Sequence, residues 1–84
     1  MKKTIYEQPY RLMVSELRQA RQRAGLTQTD AGEKIGRSRQ WIHKVETCEL
    51  RLDVMQTAQL CRVYGESFSA LMLEIGNSDD TTKP

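Results

Sequence analysis

Apolar positions recur along most of the chain at the spacing of one helix face, and nowhere in the strict alternation of a half-buried strand. Met13, Leu17, Ala20 and Ala24 fall at intervals of four, three and four residues, which predicts an amphipathic helix over Tyr10–Ala24, stopped by Gly25. Thr27 then offers a side-chain oxygen to cap a second, short helix over Gln28–Ile35, with Gly36 as its terminator. Ser38 repeats the device for a third helix from Arg39 to about Thr47, in which Ile42 and Val45, three apart, face inward. Asp53 caps a fourth helix over Val54–Tyr64, with Val54, Thr57, Leu60, Cys61 and Tyr64 on its inner face and Gly65 at its end. Ser67 opens a fifth through about Ile75, with Phe68, Leu71, Met72 and Ile75 apolar. The pattern predicts an all-α domain of five helices over residues 10–75, preceded by a flexible lead-in over residues 1–9 that ends at Pro9 and followed by a disordered polar tail over residues 76–84.

The second and third helices are separated only by Gly36, Arg37 and Ser38. A glycine between two short helices permits the sharp reversal of a helix-turn-helix. The outer side of the third helix shows Arg39, Gln40, His43 and Lys44. In a helix-turn-helix this end enters the major groove, where Arg spans the two acceptors of guanine and Gln pairs with the edge of adenine. The same four residues also suit a plain solvated face, and composition does not separate the two readings. Gln28, just after the cap Thr27, can present its amide and the first free N–H groups of its helix to a phosphate, or simply help to cap that helix.

Charge sharpens the picture. Residues 1–51 carry 11 Lys or Arg against 6 Asp or Glu, and residues 52–84 reverse the balance at 2 against 5. The basic half suits a polyanion. The chain's 84 residues form one small domain, and no apolar run is long enough to span a membrane. The basic N-terminus lacks the apolar core of a signal peptide, so a cytoplasmic location is expected. Cys48 and Cys61 form neither a disulfide framework nor a CxxC pair, and the helical faces carrying them and His43 do not converge. No metal, no other cofactor and no catalytic triad is expected, so the chain does not read as an enzyme.

Taken in order, Arg21, Gly25, Leu26-Thr27-Gln28, Gly32, Gly36-Arg37-Ser38, Ile42, Val45-Glu46 and Gly65-Glu66-Ser67 resemble the phage-repressor-like (Cro/XRE-type) helix-turn-helix family of bacterial and phage transcriptional regulators, without a gap from about Met13 to Met72. Lys44-Val45-Glu46 and Leu52-Asp53-Val54 resemble one bacterial branch of it. The resemblance implies a five-helix lambda-repressor-like fold that binds double-stranded DNA, with Arg39, Gln40, His43 and Lys44 at base-facing positions. It places Thr27, Gln28, Arg37, Ser38, Thr47 and Arg51 along the sugar-phosphate backbone. It also implies a structural salt bridge from Arg21 to Glu46.

Departures from the family pattern are informative. Ala31 stands where leucine is common, and Trp41 is larger than the usual residue, so Trp41 is expected to fill part of that volume and pack toward the fourth helix. Gly32 replaces alanine between the second and third helices. Cys48 replaces a glycine that ends the third helix, which forces either strain or a different turn. Leu50 replaces an arginine and removes one phosphate-directed charge. The expected function is a regulator, most simply a repressor, acting as a homodimer on a palindromic operator. Phe68, Leu71, Met72 and Ile75 are the candidate dimer surface, with Leu71 or Ile75 the ones left over from the core. The alternative of the same fold is an antitoxin or protein-interaction adaptor.

Overall fold

The computed structural model describes residues 4–80, and the side chains of residues 8–77. Five helices follow one another: α1 (Thr4–Arg23), α2 (Gln28–Ile35), α3 (Arg39–Glu46), α4 (Val54–Tyr64) and α5 (Phe68–Asp80). The described residues contain no strand.

Local chemistry sets most boundaries. Thr27 and Asp30 close a reciprocal capping box at the start of α2, with the Asp30 N–H donating to Thr27 Oγ1 at 3.0 Å and the Thr27 N–H donating to Asp30 Oδ2 at 3.0 Å. Those bonds to Thr27, the backbone N–H foremost, hold the Asp30 carboxyl below its usual range. Asp53 and Gln56 repeat the box on α4 at 2.7 and 2.9 Å. Ser38 caps α3 by accepting from the Trp41 N–H at 3.1 Å. Ser67 caps α5 through Ala70 at 3.1 Å.

The ends of the chain differ from expectation. α1 begins at Thr4, not Tyr10, and carries Pro9 inside it. Pro9 is the sixth residue of α1; its fixed φ is still helical, and the helix runs through it at the loss of one N–H bond. The same helix stops at Arg23, and Ala24, expected on its inner face, is exposed. α5 runs on through Gly76 to Asp80. Of the expected lead-in over residues 1–9 and tail over residues 76–84, residues 1–3 and 81–84 lie outside the described residues, and the rest is helical.

The core is one cluster. Met13, Val14, Leu17 and Ala20 of α1 meet Ala31 of α2, Ile42 and Val45 of α3, Leu60, Cys61 and Tyr64 of α4, and Leu71 of α5. α1 packs against α3, α4 and α5, while α2 packs on α3 and α4. Thr57 is buried with its hydroxyl donating to the Asp53 carbonyl at 2.9 Å, so its polar atom is satisfied inside the helix. One inward assignment fails, and so does one assignment to the dimer surface. Val54, at the first turn of α4, is 67% exposed, and Leu71 is buried while Leu73 is 66% exposed. Leu71 therefore belongs to the core and is not free for a dimer surface. Phe68, Met72 and Ile75 are half-buried against the core.

Candidate nucleic-acid interface

The α2–turn–α3 unit rests on two backbone features. Gly36 takes φ 72°, ψ 33°, the left-handed conformation that glycine adopts without steric cost, and its N–H returns to the end of α2. The Arg37 N–H then donates to the Gly32 carbonyl at 2.8 Å. The turn closes so tightly on α2 that a Cβ at Gly32 would run into the Arg37 carbonyl oxygen and lie 3.1 Å from that of Ser38. Gly32 is thus not merely small at a helix crossing; the absence of its side chain is what admits the turn.

This turn presents the start of α3 outward. Arg39, Gln40, His43 and Lys44 are all exposed, while Ile42 and Val45 are buried on the opposite side. The eight-residue helix thus separates an apolar anchor from a polar face.

Behind that face lies a charged centre that joins three helices. Arg21 of α1 donates from Nε to Glu46 Oε2 at 2.6 Å and from Nη2 to Glu46 Oε1 at 3.1 Å, a two-pronged pair at the end of α3. Its remaining Nη1 donates to the Leu26 carbonyl at 2.8 Å. Both side chains are buried, at 9% and 6% exposure. The hydrogen bonds to Glu46 raise the Arg21 pKa against the opposing effect of burial. The Gln28 amide nitrogen donates to Glu46 Oε1 at 3.0 Å, and Arg39 Nη1 reaches Gln28 Oε1 at 3.5 Å. Arg18, exposed on α1, approaches Glu46 Oε1 at 3.8 Å. Gln28 is therefore more than a cap neighbour: its amide links the buried ion pair to Arg39. No local sequence signal marks this role, because the partners are 18 and 11 residues away.

The remaining positions fall around this face. Thr27 spends its side chain on the α2 cap. The Thr47 hydroxyl is turned back to its own helix end, 3.1 Å from the His43 carbonyl and 3.0 Å from Glu49 Oε2. Arg37 lies over the Trp41 ring, its guanidinium carbon 4.7 Å from the centroid. Trp41, expected to pack toward the fourth helix, is half-buried at the core edge, and Arg37 lies over its ring. Arg51 lies 4.2 Å over the Tyr10 ring, and the Tyr10 hydroxyl accepts from the Leu52 N–H at 2.9 Å. Tyr10 was legible only as the start of a helix; its contact with the segment after α3 spans 42 positions.

Cys48 has φ 64° and is the one non-glycine residue with positive φ among the described residues. Of the two outcomes expected there, strain is the one observed: Cys48 keeps the glycine-like turn. Leu50 packs against the core edge, which gives its replacement of a charge a structural use. Among the described residues, no group of three or more His, Cys, Asp or Glu could hold a metal ion, and no helix is long and apolar enough to cross a membrane.

Comparison with known proteins agrees with this geometry. No curated protein and no solved structure matches the chain. A family model described as a helix-turn-helix domain matches residues 12–70, from the middle of α1 into α5, and covers both helices of the unit and the pair that braces it. The chain, all-helical over its described residues and with the motifs of the phage-repressor-like kind, belongs to this helix-turn-helix domain family.

Proposed function

We propose that the protein is a sequence-specific regulator of transcription that binds double-stranded DNA through the first turns of α3. The observation that carries this reading is the polar, exposed set Arg39, Gln40, His43 and Lys44 on a helix whose other side is locked into the core. In this reading α3 lies in the major groove, with Arg39 and Gln40 on base edges and His43 and Lys44 one turn on. Gln28, Arg37 and Arg51 face the sugar-phosphate backbone, together with Thr27, Ser38 and Thr47, whose hydroxyls also serve helix ends. The mechanism is occupancy of an operator, which represses by blocking another protein's access. It requires no chemistry, so no enzymatic role is assigned.

One domain of this size reads only a few base pairs, so a homodimer on a palindromic site, with half-sites about 34–36 Å apart, supplies the needed specificity. The apolar edge of α5, with Phe68, Met72 and Ile75 half-buried and Leu73 exposed, supports that pairing. The test is selection of bound sites from random duplexes, followed by sizing the complex. Enrichment of an inverted repeat bound by two chains is expected. Recovery of no preferred sequence would overturn the reading.

A further inference from the structure

Two arginines at opposite ends of α3 share one arrangement. Arg37 sits in the turn before the helix and Arg51 in the segment after it, each exposed and each over an aromatic ring, at 4.7 and 4.2 Å. Neither pairs with a carboxylate among the described residues. Glu49, which shares a hollow with Arg51 and Tyr10, is turned instead to Thr47 Oγ1 at 3.0 Å. The Tyr10 ring is in turn fastened to the backbone beside its arginine, since its hydroxyl accepts from the N–H of Leu52, next to Arg51. Trp41 is held by its place in the first turn of α3, half-buried at the core edge, where its backbone N–H donates to the cap Ser38, next to Arg37. A guanidinium held over a ring by its cation–π attraction keeps N–H groups for a planar, two-pronged contact with a phosphate, which an ammonium cannot reproduce.

We propose that Trp41 and Tyr10 are positioning residues, which hold Arg37 and Arg51 ready as phosphate clamps at the two ends of the recognition helix and so set its register in the groove. The inference rests on the DNA-binding reading above. Ordering a long side chain before contact removes part of the entropy that binding otherwise costs. The ring at each site therefore contributes to affinity without touching DNA.

The test uses the full chain and a duplex taken from the site selection, titrated over a range of salt. Arg37→Lys and Arg51→Lys preserve charge. Each is expected to keep the parent's slope of log affinity against log salt while losing about 2- to 10-fold in affinity, the worth of one immobilised side chain. Tyr10→Phe, which retains a ring, keeps most of the parent's affinity. Tyr10→Leu matches Arg51→Lys, and the double variant is no weaker than either single one, because both remove the same stack. Lysine variants that bind like the parent would overturn the inference, as would a Tyr10→Phe variant as weak as Tyr10→Leu, or losses at positions 10 and 51 that multiply. A parent that prefers no duplex overturns the DNA-binding reading itself; a selective parent with indifferent lysine variants overturns only the clamps.

Discussion

Glu46 accepts from Arg21 and Gln28, with Arg18 as a looser ion-pair partner at 3.8 Å, so a single carboxylate joins α1, α2 and α3. Such a buried pair is costly to break from one side, because the surviving charge stays out of water. Glu46→Ala leaves the Arg21 guanidinium with only the Leu26 carbonyl and is expected to cost about 3–5 kcal/mol, read from urea unfolding. Replacing both partners together by apolar residues of similar volume should cost less than Glu46→Ala alone. Cys48 illustrates the opposite case, a residue that costs stability where it stands. Its φ of 64° suits glycine, so Cys48→Gly should stabilise the fold by about 0.5–1 kcal/mol after the greater freedom of glycine in the unfolded chain is offset. A lower urea midpoint in that variant would show that the cysteine side chain contributes more packing than its backbone loses.

Among the elements, α2, α3 and α4 were legible almost to the residue, because their caps are written locally in Thr27, Ser38 and Asp53 and their ends in Gly36 and Gly65. α1 and α5 were not. Pro9 reads as a break, yet α1 runs through it, and nothing in the residues after Ile75 marks where α5 stops. The exposed side of α3 was legible from periodicity, and the Arg21–Glu46 pair from the family resemblance. The links from Gln28 and the stacks on Trp41 and Tyr10 were not, because they depend on where distant elements meet. The closeness of the turn to Gly32 belongs to the same class. Gly32→Val should destabilise the protein by about 2–3 kcal/mol, because its Cβ meets the Arg37 backbone carbonyl and not a flexible side chain. A thermal melt of that variant that coincides with the parent's would mean the turn yields freely.

At the scale of the whole molecule, one cluster of small and medium side chains supports both the fold and the face it presents. Two of its members are ionisable. Burial pushes the Cys61 thiol above its ordinary 9.0, and burial foremost, with Glu46 nearby, pushes the Tyr64 phenol from 10.0 up to about 12. Both pKa values are raised on folding, so their contribution to stability is complete below about pH 9 and is lost as pH rises through the unfolded and then the folded values. Unfolding at pH 11 should therefore show a loss of about 1 kcal/mol or more relative to pH 8, and a smaller loss in Tyr64→Phe. That core exists, in this account, to fix α3 with its first turn on the bases. The most direct measurement compares the parent and Arg39→Ala on the selected duplex and on a scrambled one of equal length. A loss of about 1–3 kcal/mol on the selected duplex, with preference relaxed at one base position and little change on the scrambled one, is predicted. Equal losses on both duplexes, or none on either, would contradict the account.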